Sequence, residues 1–327
     1  MIISKTPLRI SFCGGGSDLP SFYKKHGGCV LSTAIDKYIY ISSVKSFNES
    51  VTQLKYSEVE TTTDVNKIKH PVFREMLKQY GLSGLEMNST SDIPAGTGLG
   101  SSSTFAVGLS NVLNTRLGRT VSSEELAQDA CHMEMEVLRE PIGKQDQYAA
   151  AYGGLNFIEF EKDGSVSVEP VRMTDEAKSK LNDRLFMLYL GGTRSASAIL
   201  KNHGKNVTSG DAEMNQLKMC DLARDLRTYL EDGNLDAMGE VLDKGWKLKR
   251  TLSTGITNPE IDLVYEEITS KGAIGGKLLG AGGNGFMLFY ADERTRSEIM
   301  GSACDHAWTP FSFDPKGSRI IYNDEVL

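Results

Sequence analysis

In the run Pro94-Ala95-Gly96-Thr97-Gly98-Leu99-Gly100-Ser101-Ser102-Ser103, three glycines fall within five residues and three serines follow at once. Glycine reaches φ > 0 without steric cost, so such a segment can curl tightly. Phe105, Leu109, Val112 and Leu113 then recur at i, i+4, i+7 and i+8, the spacing of a helix. A glycine turn that opens onto a helix presents unpaired N–H groups and the positive end of the helix dipole, which together make an anion site. Two readings stand: a cradle for a nucleotide triphosphate, pointing to phosphoryl transfer, or a turn that merely needs glycines.

Upstream, Leu8, Ile10 and Phe12 alternate with Arg9 and Ser11 as in a strand, which runs into the tight loop Cys13-Gly14-Gly15-Gly16-Ser17-Asp18. Val30–Ile35 and Tyr38–Val44 read as two further strands, Phe73, Met76 and Leu77 as a short helix, and Leu85–Ser91 as a strand. Residues 45–70 are polar and poorly patterned. Downstream, Ser122-Ser123-Glu124-Glu125 is a capping box for a helix that stops before Pro141, with Leu126, Ala130, Met133 and Val137 as its buried stripe. Gly153-Gly154 precedes an alternating strand, Leu155–Phe160. The charged, turn-rich stretch 161–182 is the best boundary, giving domains 1–178 and 179–327. The second half opens with a strand at Leu185–Leu190, followed by helical patterns around 211–231, 234–252 and 259–271. A glycine cluster, Gly275–Gly285, leads into the strand Phe286–Tyr290. Strands mixed with helices at irregular spacing indicate an α+β fold.

A net charge of -7 argues against bulk nucleic-acid binding, which needs a basic face. Cys13, Cys29, Cys131, Cys220 and Cys304 are scattered without a CxxC pair, and the five histidines are scattered too, so a zinc site is not expected and reduced thiols are. No basic-then-apolar leader precedes Lys5-Thr6-Pro7, and no apolar run approaches the roughly 20 residues that span a bilayer. The expectation is a soluble cytoplasmic protein with no membrane or nucleic-acid partner.

The glycine loop is not a Walker A motif, because Gly143-Lys144, Gly204-Lys205 and Gly276-Lys277 all lack the following Ser or Thr. Its G-x-G-x-G spacing is not the dinucleotide fingerprint either, and protein-kinase signatures are absent. Glu134 interrupts the apolar face of its helix; it is either a magnesium ligand beside phosphate oxygens or a carboxylate at the stripe's edge. Asp146, in Gly143-Lys144-Gln145-Asp146-Gln147, either orients an alcohol and accepts its proton or is a turn aspartate. Arg9 either steadies a transferring phosphoryl group or forms a surface salt bridge. Asp18 binds sugar hydroxyls or caps the next helix.

In their order along the chain these segments resemble the GHMP kinase superfamily, named for galactokinase, homoserine kinase, mevalonate kinase and phosphomevalonate kinase. Pro7–Asp18 is similar to the family's first motif, Pro94–Ser103 to the second, and Lys277-Leu278-Leu279-Gly280-Ala281-Gly282-Gly283-Asn284-Gly285 to the third. The resemblance implies an ATP- and magnesium-dependent small-molecule kinase of two α+β domains, a ribosomal-protein-like N-terminal domain and a ferredoxin-like C-terminal one, with the active site in the cleft. It implies Asp146 as base or hydroxyl-orienting group and Arg9 as the stabiliser of the transferring phosphoryl. Ser102 and Glu134 would hold Mg²⁺. Pro94, Gly96, Gly98, Leu99, Gly100, Ser101, Ser102 and Ser103, with Gly282 and Gly283, would cradle ATP. Asn284 stands where the family has glycine, and Asn tolerates the left-handed region.

Gly14-Gly15-Gly16-Ser17-Asp18 replaces the Gly-Glu-His-x-Asp of galactokinases. The loop instead resembles that of the D-glycero-D-manno-heptose 7-phosphate kinases, as do the segments 143–154 and 275–281. That branch phosphorylates the anomeric hydroxyl to give a 1,7-bisphosphate in nucleotide-activated heptose biosynthesis; L-fucose kinases are the nearest rival. Gly15, Gly16, Ser17, Asp18, Gly153 and Arg194 are the expected substrate residues, with Arg194 for a substrate phosphate. A non-catalytic sugar or nucleotide sensor is the competing class, opposed by the joint presence of Arg9, Ser102, Glu134 and Asp146. An RNA-binding module is opposed by the acidic balance.

Overall fold

The structure is a computed structural model that describes residues 1–192, 204, 210–302 and 307–325. Its strands form two sheets. The first is built on β1 (Ile2–Cys13) and β2 (Gly28–Lys45), flanked by β3 (Thr52–Lys55), β4 (Val59–Thr62), β5 (Leu85–Ser91), β6 (Leu155–Phe160) and β7 (Val166–Pro170). The second contains β8 (Leu185–Tyr189), β9 (Gly275–Leu278), β10 (Phe286–Tyr290) and β11 (Ala307–Thr309) in the order β11-β8-β10-β9, all antiparallel. The last strand, β12 (Arg319–Asn323), pairs with β1, so the chain's end returns to the first sheet across the division expected at 178/179.

The helices are α1 (Pro20–His26), α2 (Pro71–Tyr80), α3 (Ser101–Arg116), α4 (Ser123–Cys131), α5 (Gln145–Tyr152), α6 (Asp175–Arg184), α7 (Gly210–Glu231), α8 (Ala237–Lys249), α9 (Pro259–Ser270) and α10 (Glu293–Gly301). The charged stretch 161–182, read as the domain boundary, holds β7, which forms a hairpin with β6, and most of α6.

The two strands expected at 30–35 and 38–44 are one. Pro7 pairs with Tyr38 but Leu8 pairs with Ile35, so Asp36 and Lys37 bulge out of β2 while the strand continues. The bulge bends β2 so that its first half pairs with β6 and its second half with β5. The C-terminal segment fastens the bulge: Asp36 N donates to Ser312 O, and Asp36 Oδ1 accepts from Ser312 N.

Helix α3 lies in the middle of the first domain, with fourteen of its residues buried. Two of its asparagines are bonded inside: Asn114 Nδ2 donates to Tyr80 O–H at 2.8 Å, and Asn111 Nδ2 to Ser318 Oγ at 3.0 Å. The capping box of α4 forms as expected, with Ser122 Oγ accepting from Glu125 N and Glu125 accepting from Ser122 N. The helix then widens into one π-turn, His132–Val137, closed by Leu138 N donating to Met133 O. The extra residue shifts the phase of the apolar stripe, so Leu126, Ala130 and Met133 are buried while Val137 is 40% exposed. No helix among the described residues is long and apolar enough to cross a membrane.

Candidate active site

A cleft of about 360 Å³ lies between the two sheets' domains. Its walls come from the end of β1, the loop after it, the 96–103 segment, the π-turn, the start of α5 and the loop after β9. Gly96, Gly98 and Gly100 all have positive φ, at 79°, 91° and 79°. A Cβ on Gly98 would lie 2.7 Å from Leu279 O, so this loop must be bare to meet the one after β9. Helix α3 begins at Ser101 without a side-chain cap, so its first N–H groups face the cleft lined by Ser101, Ser102 and Ser103.

Arg9 and Asp146 face each other across this floor. Arg9 Nε donates to Asp146 Oδ1 and Nη2 to Oδ2, both at 2.8 Å, a two-pronged ion pair. Nη1 donates to Gly98 O at 2.6 Å. The guanidinium is thus buried and ties the glycine loop to the carboxylate at the start of α5. The sequence suggested either a phosphate-facing arginine or a surface salt bridge; the ion pair exists, but inside the cleft.

Glu134 points inward from the π-turn and is 1% exposed. Its Oε1 accepts from Ser102 Oγ and its Oε2 from Gln147 Nε2, both at 2.7 Å. Burial pushes its carboxyl above the usual carboxylate range, against the hydrogen bonds from Ser102, Ser103 and Gln147. The wide turn is what aims this side chain at Ser102.

Asp18 does not cap α1, whose N-cap is Leu19 with no side-chain bond. It accepts from Gly16 N at 3.0 Å, Gln145 N at 3.2 Å and Gln145 Nε2 at 3.3 Å, holding the Gly14–Ser17 loop against α5. Burial, and secondarily the charge of Asp146, push its carboxyl up to about 6. An added Cβ at Gly143 would overlap this carboxylate.

Gly15, Gly16, Asp18, Gly96, Gly98, Gly100, Ser101, Ser102, Ser103, Glu134, Asp146, Arg9 and Gly282 all line the cleft. Five other expected residues sit behind the wall. Ser17 Oγ is bonded to Cys29 N and O, and Pro94 O accepts from Thr97 Oγ1. Leu99 is fully buried with its carbonyl accepting from Arg9 N, and Gly283 N donates to Ile256 O. Gly153 ends α5 against Lys316 and Gly317. Their backbones shape the loops; their side chains, where present, do not reach the cleft. Arg194 lies outside the described residues. Asn284 has no need of the left-handed conformation it tolerates, since Arg139 is the sole described non-glycine residue with positive φ. The turn is made by Gly282, Gly283 and Gly285 instead.

Two lysines that sequence reasoning gave no role also line the cleft. Lys277 Nζ donates to Ser11 O at 2.8 Å and Phe12 O at 3.0 Å, and burial pushes its pKa down to about 8. Lys249 Nζ donates to Leu278 O and Gly280 O. Lys277 stands in the third motif and was visible there. Lys249, in the last turn of an amphipathic helix, reads from sequence as an ordinary dipole-complementing cation.

The GHMP kinases N-terminal domain family matches residues 66–154, and the GHMP kinases C-terminal family matches residues 226–306. A curated relative, D-glycero-alpha-D-manno-heptose 7-phosphate kinase of Campylobacter jejuni, is 30% identical over 91% of this chain and 92% of its own. The chain belongs to the GHMP kinases. It is an ATP-dependent phosphotransferase with an alcohol group as acceptor. The L-fucokinase/L-fucose-1-P guanylyltransferase of Bacteroides fragilis is 25% identical over 90% of this GHMP kinase and 35% of the longer relative. Among solved structures, a D-glycero-D-manno-heptose 1-phosphate kinase from Bacteroides thetaiotaomicron superposes with a TM-score of 0.81 at 24% identity, covering 99% of this chain and all of that one. That likeness establishes the two-domain fold expected from the motifs.

Proposed function

We propose that this GHMP kinase is a sugar 1-kinase that phosphorylates the anomeric hydroxyl of D-glycero-D-manno-heptose 7-phosphate. The observation that carries the reading is the Arg9–Asp146 pair set against the N-terminus of α3. The heptose 7-phosphate kinase relative, matched over nearly its whole length, supports the acceptor.

In this reading Asp146 accepts the proton of the attacking hydroxyl through a carboxylate that Arg9 holds in one orientation. Arg9 steadies negative charge on the group in transfer. The bare N–H groups at the start of α3 hold phosphate oxygens. Asp18 and the N–H group of Gly15 recognise sugar hydroxyls.

The Ser102 hydroxyl and the Glu134 carboxylate fit a magnesium ion. Glu134 is a buried carboxylate with only neutral partners, so a cation beside it offsets the unfavourable burial of its charge. The rest of such an ion's coordination would come from phosphate oxygens and water. Bound there, magnesium would neutralise charge on the phosphate chain.

The test is ADP release with a panel containing heptose 7-phosphate, free heptoses, hexoses and L-fucose, with the product's phosphate position read by ³¹P NMR. The expected result is fastest turnover with heptose 7-phosphate and a new phosphate on the anomeric oxygen. Faster turnover with L-fucose would replace the acceptor, and phosphate on another hydroxyl would replace the position.

A further inference from the structure

Lys249 is the last residue of α8 and is buried, yet it belongs to the wall of the cleft. An ammonium carries three protons to donate. Two are taken by Leu278 O at 3.0 Å and Gly280 O at 2.5 Å. Among the described residues no carboxylate stands within ion-pair distance of it, while the ion pairs of its neighbours on α8, Lys244 and Lys247, are both made on the outer surface. The charges that face it are those of Lys277 and Arg9, both cationic. Together with burial they drive its pKa well below the ordinary lysine value. A buried charge without a counter-charge is unfavourable, so the charged form of Lys249 is favoured only when an anion stands beside it.

The hydroxyls around the cleft tell the same story. Ser101 Oγ and Ser11 Oγ are buried on its wall with no hydrogen-bond partner among the described residues. Buried polar atoms are normally satisfied, so orphans gathered on one cavity point to a ligand that completes them.

Position selects the ligand's part. Gly280, whose carbonyl Lys249 holds, packs against Gly98, where an added Cβ would lie 2.5 Å from Gly98 Cα. Gly98 O in turn accepts from Arg9. Lys249 therefore stands behind the junction of the two glycine loops, on the side of the cleft where α3 begins. Resting on the kinase reading above, we infer that Lys249 donates its remaining N–H to an anionic oxygen of the bound donor's phosphate chain. Two carbonyls fix the ammonium and the loop together, and the third proton meets phosphate.

The experiment titrates the full chain and its Lys249→Met and Lys249→Arg variants calorimetrically with ATP, adenosine and inorganic tripolyphosphate. Lys249→Met should weaken ATP and tripolyphosphate by about tenfold or more, the scale of one charge-assisted hydrogen bond, and leave adenosine unchanged. Lys249→Arg, which keeps the charge, should recover part of the loss. Unchanged ATP affinity in Lys249→Met, or an equal loss for adenosine, would reduce Lys249 to a prop for the loop and overturn the inference. In the wild-type protein labelled with ¹³C-lysine, the Lys249 methylene next to Nζ should shift on addition of tripolyphosphate; a resonance that stays put overturns it without any variant. If tripolyphosphate binds through Lys249 but no sugar elicits ADP release, the kinase reading falls and the anion site stands. Normal transfer with a Lys249→Met variant that binds ATP as the wild type does would give the reverse result.

Discussion

Two glycine loops touch at the centre of the cleft and are built differently. The loop at Gly96–Gly100 opens onto helix α3, so bare N–H groups and the helix dipole bring positive potential with the backbone itself. The loop between Leu279 and Gly285 opens onto β10, whose backbone groups are taken up in ladders with β8 and β9. It brings close approach but no dipole, and the nearest positive charge is the Lys249 ammonium bonded to its carbonyl. A phosphate site can thus be charged from a helix end or from a side chain behind a loop. The first is written in adjacent residues; the second needs a helix and a loop that lie some thirty positions apart.

The largest effect expected is on chemistry that leaves both loops intact. Asp146→Asn keeps the shape of the side chain but removes the proton acceptor, and kcat should fall by about 10³-fold, within the usual range for a general base. ATP affinity measured by calorimetry should stay within about twofold. A variant that turns over nearly normally would take Asp146 out of the transfer step.

A smaller effect separates loop contact from loop conformation. Gly98→Ala meets Leu279 O and also sits at φ 91°. It should lower unfolding free energy by about 2–4 kcal/mol and weaken ATP binding. Gly81→Ala, at φ 63° with nothing within 4 Å, should lower stability by only about 1 kcal/mol and leave ATP binding alone. Equal losses in urea titrations would mean that the loops do not depend on meeting closely.

The smallest is a pH dependence on the acceptor side. The Asp18 carboxyl titrates near 4 in an unfolded chain and at about 6 in the fold. Its contribution is fully present below the unfolded value and is lost as pH rises through the folded one. The stability of the wild type relative to Asp18→Asn should therefore fall by roughly 2 kcal/mol between pH 4.5 and pH 8. A gap that does not change with pH would mean that the Gly14–Ser17 loop leaves Asp18 hydrated.

Much of the fold was legible because local periodicity and turn chemistry report directly on backbone state. The strands Leu85–Ser91, Leu155–Phe160 and Phe286–Tyr290 have the bounds their alternation suggests, and the capping box at Ser122 forms with both of its bonds. The errors fall where distant segments intervene. Asp36 and Lys37 look like a break between strands, but pairing with β1 and bonds from Ser312 make them a bulge in one strand. Val137 fits an α-helical stripe, but a π-turn carries it outward.

The sequence by itself carried the resemblance to the family, through the order of its three motifs, and that resemblance, not the spacing of any one segment, singled out Arg9, Ser102, Glu134 and Asp146, which all line one cleft. Only the tertiary structure decided how they meet. The Arg9–Asp146 fork joins residues 137 positions apart, the π-turn aims Glu134 at Ser102, and Lys249 comes to the cleft from the end of a helix with no motif of its own. Charge placement of this kind depends on burial and on the distance between groups remote in the chain, and neither quantity is carried by local sequence.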